Sequence, residues 1–133
     1  MDRNLQLLGI ARKAGLVAVG GDAVSASARA GKAKLVICAT DSSEGSLRRA
    51  RINAKENNIV YITAPYTKFE LGNITGRGSP GTVAILDAGL AAGFLKGLAE
   101  GNPDKYKDAT EQLADETEIL AKRSKHTSRR VAK

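Results

Sequence analysis

Tryptophan is missing from this sequence, histidine and cysteine occur once each, and the remaining aromatics are three tyrosines and two phenylalanines. Each shortage excludes something. With so few rings the core has to be built from Leu, Ile, Val and Ala, a composition that suits helices packed on a small sheet. The lone His126 stands in a polar tail, so Ser-His-Asp or Cys-His catalysis has no imidazole held in a packed site. No His or Cys cluster has the spacing of a zinc site, and the carboxylates are too scattered to act as an acid/base pair. Neither a cofactor nor a metal is expected, and the chain does not read as an enzyme.

Long apolar runs are missing too. None approaches the roughly 20 residues that cross a bilayer, and no signal peptide precedes the first helical pattern. The expectation is a cytoplasmic protein with no membrane partner. The single Cys38 lies inside the apolar run "KLVICA" and reads as a buried core thiol in a reducing compartment.

Basic charge is what the sequence has in excess, and its distribution says more than the total of +7. Residues 1–99 hold 13 basic and 7 acidic residues, 100–121 hold 2 and 7, and 122–133 hold 6 and none. The net charges are +6, −5 and +6 in turn. A basic body and a basic tail suit a polyanion such as RNA.

With 133 residues the chain is long enough for one domain plus an extension. Leu5, Leu8 and Ala11 recur at helical spacing up to a stop at Gly15. "LVAV" is a short extended piece, after which Gly20 and Gly21 break the chain and Asp22 is placed to cap a second helix ending at Gly31. "KLVICAT" has the continuous apolar character of a strand buried on both faces. In the helix that follows, Leu47, Ala50 and Ala54 form an inward stripe, with Arg48, Arg49, Arg51 and Lys55 elsewhere. "IVYITA" and "TVAILDA" are further strands; between them a helix runs from a Thr67 cap to a Gly76 stop. A last helix covers Gly89 to about Ala99.

This alternation predicts a three-layer α/β/α sandwich around a mixed sheet of about four strands. It would occupy residues 1–99, with 100–133 as a C-terminal extension. Pro103 opens the extension, since proline suits the first turn of a helix and cannot continue one from before. Tyr106, Ala109, Leu113, Thr117 and Leu120 then follow a rough heptad on an acidic background. The final "KRSKHTSRRVAK" is too polar and charged to fold alone.

Two phosphate-binding motifs are present in letters only. "GRGSPG", Gly76 to Gly81, fits G-x-G-x-x-G, but the dinucleotide fingerprint needs a strand before it and a helix after it. Here the order is reversed. Gly31 and Lys32 supply the Gly-Lys of a P-loop, yet Ala33 replaces the hydroxyl residue and Ala26 the first glycine. A nucleotide-using enzyme has no other support.

"GGDA" has a different use. A helix N-terminus presents unpaired N–H groups and partial positive charge, and glycines let a phosphate backbone come close. Lys32 and Lys34 follow the same helix, and Arg77 lies in a second glycine-rich loop that a sandwich would bring alongside.

"VGGDAVSASARAGKAKLVICATD", "NNIVYITAPYTKFELGNITG" and "GTVAILDAGLA" together resemble the ribosomal kink-turn RNA-binding protein family, of the L-seven-Ae and L-thirty-e type. More narrowly they are similar to its bacterial YlxQ-like subgroup. The resemblance runs from about Leu5 to Leu98. It implies the same sandwich, a second helix whose start docks on tandem sheared G·A pairs at a sharp RNA bend, and a loop that closes over a flipped-out nucleotide. Those regions correspond to Gly20–Ala26 and Arg77–Thr82. Strong binders of this type carry glycine, then Asn-Glu, then Thr-Lys. Gly20 is kept, Ser25 stands for the threonine, and Asp22, Ala23 and Ala26 replace the asparagine, glutamate and lysine. An ionised Asp22 accepts but cannot donate. Each lost base contact costs on the order of 1–3 kcal/mol by analogy with DNA readout.

The resulting expectation is a non-catalytic protein that binds ribosomal or other structured RNA with weakened kink-turn specificity. Gly20, Gly21, Asp22, Ser25, Lys32 and Lys34 would position the RNA backbone, and Arg77, Gly78, Ser79 and Pro80 would form the covering loop. The alternative is a protein-interaction module that docks a partner through residues 103–121 and adheres to RNA only non-specifically.

Overall fold

The computed structural model describes residues 2–114. Along the chain the elements are α1 (Arg3–Lys13), β1 (Val17–Val19), α2 (Gly21–Arg29), β2 (Leu35–Cys38), α3 (Glu44–Glu56), β3 (Val60–Thr63), α4 (Lys68–Thr75), β4 (Thr82–Ile85) and α5 (Ala88–Gly101). Residues 103–114 are also helical. The strands form one sheet in the order β1-β4-β2-β3. β4 is antiparallel to both its neighbours, and β2 runs parallel to β3 through the α3 crossover. The mixed four-stranded sandwich expected from the alternation is therefore present.

β2 and β4 are buried at every residue because each has a strand on both sides and helices on both faces. Alternation along β2 sends Leu35 and Ile37 to one face and Val36 and Cys38 to the other. The first face carries the larger core, where Leu8 of α1, Leu71 of α4 and Phe94 of α5 are fully buried. Burying each such side chain contributes roughly 1.5–3 kcal/mol. On the second face α2 and α3 pack through Val24, Ala28, Ala50 and Ala54. Leu47, expected on that inward stripe, is only partly buried. Small side chains let these two helices lie close to the sheet and to each other, which accounts for the Ala and Ser content of α2.

Local signals set the helix ends. Thr67 and Glu70 form a reciprocal capping box at the start of α4, and Gly76 ends it at φ 76°. α5 begins at Ala88 behind an Asp87 cap and runs two residues past the expected Ala99. Gly72 is required by packing: a β-carbon there would overlap the Gly78 carbonyl, where the α4–β4 loop folds back over the helix.

Residues 103–114 bring Tyr106 and Leu113 into the larger core. The Tyr106 hydroxyl also donates to the Thr63 carbonyl of edge strand β3 at 3.0 Å. The heptad positions Thr117 and Leu120, and the basic tail 122–133 with His126, lie outside the described residues. No helix among the described residues is long and apolar enough to cross a membrane.

Candidate nucleic-acid interface

Antiparallel pairing of β1 with β4 sets Val19 opposite Val83, so the residues just beyond the pair, Gly20 and Thr82, also meet. The Gly20 N–H donates to the Thr82 carbonyl at 2.9 Å. One residue earlier, the Gly81 carbonyl accepts from the Ala39 N–H at 2.9 Å and from the Ser42 hydroxyl at 2.6 Å. The α4–β4 loop, Gly76 to Gly81, thus returns beside the β1–α2 turn. The two glycine-rich segments share one corner of the sandwich.

At that corner Gly20 is the N-cap of α2, at φ 92°, a conformation that strains any residue with a side chain. It makes no side-chain capping bond. α1, α3, α4 and α5 are each capped by a side chain, from Asp2, Ser43, Thr67 and Asp87. The leading N–H groups of α2 are left for solvent or a ligand. Asp22, expected as the cap, instead lies inside the first turn. Its carboxylate accepts from Arg49 Nη2 of α3 at 2.7 Å, the one ion pair found among the described residues.

Ser25 is on the same helix but faces inward. It is 2 % exposed, and its hydroxyl accepts from Asn53 Nδ2 at 2.6 Å, so it fastens α2 to α3 and is not available at the surface. Lys32 and Lys34 are also displaced from the corner. They follow the C-terminal end of α2, about 14 Å from Gly20 along an axis rising 1.5 Å per residue. Lys34 Nζ reaches the Gly31 carbonyl at 3.5 Å. Proximity in sequence placed them near the site, and the length of the helix removes them. Arg77, Gly78 and Ser79 are exposed on the loop, with Pro80 half-buried.

α3 contributes Arg49, which the sequence placed only among basic residues off the inward stripe, and Ser46 and Asn53, which it did not single out. With Gly21 and Thr82 they line a small cavity of about 50 Å³ behind the corner. Their i, i+3, i+7 spacing was a readable sign that they share one flank of α3, distinct from the flank of Arg48, Arg51 and Lys55.

The two groups whose pKa is clearly displaced, among the described residues, are buried beneath the surface. Burial raises Cys38, whose thiol sits 3.9 Å from the Thr82 hydroxyl inside the core. Burial, with the Asp2 carboxylate nearby, raises Tyr66, which packs against Phe94 at a ring separation of 6.4 Å. The Tyr66 hydroxyl has no hydrogen-bond partner among the described residues.

These elements make an α/β/α sandwich with a mixed sheet and a glycine-lined corner between β1–α2 and α4–β4. The sequence profile of the Ribosomal protein L7Ae/L30e/S12e/Gadd45 family matches residues 2–92, and the chain belongs to that family. Among solved structures it is similar to a protein with unknown function from Bacillus halodurans, at 20 % identity and a TM-score of 0.67, over 74 % of this chain and 98 % of the other. It is also similar to the Giardia lamblia 15.5kD RNA binding protein, at 17 % identity and a TM-score of 0.58, over 72 % and 84 % of the two chains. At these identities the likeness is one of fold. No curated protein matches the chain.

Proposed function

We propose that this protein is a non-catalytic, cytoplasmic RNA-binding protein that engages ribosomal or other structured RNA through the corner shared by Gly20–Gly21 and the Arg77–Thr82 segment. Residues 1–99 carry the binding. The observation that supports this most is the Gly20 to Thr82 hydrogen bond, because it puts the uncapped start of α2 and the exposed α4–β4 loop side by side. Bare amides at a helix start suit phosphate oxygens, and an adjacent loop adds a second wall. Family membership and the fold shared with an RNA-binding protein point the same way.

Specificity for kinked RNA is weakened in this reading. Asp22, Ala23 and Ala26 are exposed at the corner, yet none can donate to a guanine edge or neutralise a phosphate. Affinity then comes mainly from backbone charge and shape. The alternative, a partner docked on residues 103–121, meets an obstacle over the described part of that segment: Tyr106 and Leu113 are already packed into the domain's own core.

Filter binding over a salt series tests the proposal. Affinity for a structured RNA should fall linearly with the logarithm of salt concentration, and kinked and unbent duplexes should differ little. Negligible binding at low salt would end this reading.

A further inference from the structure

We infer that Arg49 is the residue with which this corner grips an RNA phosphate, and that in the free protein the Asp22 carboxylate occupies its guanidinium in the phosphate's place. The inference rests on the RNA-binding reading above and assigns the charge that works there.

Arg49 is the cation that the fold brings to the α2 side of the corner, across from Arg77 on the loop. It belongs to α3, but its guanidinium reaches across to α2, with Nη2 2.7 Å from Asp22 Oδ1 and Nη1 3.1 Å from where a β-carbon on Gly21 would lie. It lines the same small cavity as Thr82, where the α4–β4 loop returns. Of the cations that the sequence suggested, Arg77 stands exposed on the α4–β4 loop that forms the other wall, and Lys32 and Lys34 lie at the far end of α2. Arg48 and Arg51 are on the opposite flank of α3, since Arg49 and Asn53 both bond to α2 and the helix turns by 100° per residue.

The pair with Asp22 is built to exchange. Its side chains are 52 % and 97 % exposed, so water and salt screen it and it is held weakly. A guanidinium presents a planar fork that fits two phosphate oxygens as well as it fits a carboxylate. Asp22 supports Arg49 in the free protein by holding the side chain at the corner, and opposes binding in two ways, by occupying the fork and by repelling the incoming anion. The opposition is the stronger effect: one weak, exposed contact does little to order Arg49, whereas a fixed negative charge beside the bound phosphate persists throughout.

The test uses the full chain and a fluorescently labelled kink-turn hairpin RNA, followed by anisotropy over a salt series. Arg49→Ala should weaken binding about tenfold and reduce the slope of log affinity against log salt by about one phosphate contact. Arg49→Lys, which keeps the charge and loses the fork, should fall between. Arg51→Ala is the charge-matched control and should weaken binding less. Asp22→Asn should strengthen binding several-fold, and by more than Glu56→Gln, which removes the same charge away from the corner. Equal losses for Arg49→Ala and Arg51→Ala, or no gain for Asp22→Asn beyond Glu56→Gln, overturn the assignment while leaving RNA binding intact. A wild-type chain that does not bind RNA at low salt removes the functional reading itself, and this inference with it.

Discussion

Asn53 Nδ2 donates to Ser25 Oγ at 2.6 Å, across the seam where α3 meets α2. The acceptor is shut away from water while the donor is half-buried, so the bond links the two helices that form the back of the corner. Asn53→Ala leaves a buried hydroxyl without that partner and should cost about 1–2 kcal/mol of stability. Ser25→Ala should cost less, because the half-buried amide can turn to solvent. Urea unfolding of both single variants and the double variant checks this, with a double-variant loss smaller than the sum expected.

Gly72 sets the position of the α4–β4 loop. Since a β-carbon there would collide with the Gly78 backbone, Gly72→Ala must push the loop off α4, at a cost of about 2 kcal/mol or more by overpacking. Gly76→Ala, with open space around it but φ 76°, should cost about 1–2 kcal/mol through backbone strain alone. Thermal unfolding separates the two. RNA affinity should fall for Gly72→Ala more than for Gly76→Ala if the loop contributes to binding.

How far the molecule was legible from its residues depends on the range of each interaction. The ends of α4 were readable because Thr67, Glu70 and Gly76 act within one or two turns. β2 was readable because an unbroken apolar run has to be covered on both faces. Asp22 was misread: a carboxylate at a helix start usually caps it, and its true partner Arg49 lies 27 residues away. The same limit hid Ser25. Its standing at the threonine position of the resembled family suggested an RNA contact, and only the packing of α3 shows that the hydroxyl points inward.

Cys38 and Tyr66 make stability depend on alkaline pH. Both are held protonated by burial, with ordinary values of 9.0 and 10.0 displaced upward in the fold. The unfolded chain therefore releases these protons first, so their contribution is fully present below about pH 9 and declines as pH rises through the two folded-state values. Each group adds a slope of up to about 1.4 kcal/mol per pH unit. Urea midpoints from pH 8 to high pH should fall, and Cys38→Ala should remove the earlier part of the decline.

Asp22→Asn, Ala23→Glu and Ala26→Lys combined should restore selectivity for a kinked RNA over an unbent duplex. All three positions are exposed, so the larger side chains meet no steric obstacle in the core. Competition binding with the two RNAs measures the ratio, which should rise by at least tenfold if each recovered contact is worth about 1 kcal/mol or more. A ratio that stays flat would show that the corner is not where bend geometry is read.

Tyr106→Phe should lower stability by about 1 kcal/mol through loss of its hydrogen bond, and Leu113→Ala by about 2–5 kcal/mol through the cavity it leaves. Both act on the larger core, on the opposite face of the sheet from α2 and α3. RNA affinity measured well below the unfolding temperature should be unchanged in each.

The hydroxyl of Tyr106 has a consequence beyond holding its own helix down. β3 is the outermost strand on its side, and a bare border of this kind invites a neighbouring molecule to add a strand of its own. By occupying the Thr63 carbonyl, the appended helix covers one acceptor of that border, and shortening the chain before Pro103 should show itself first as turbidity on concentration.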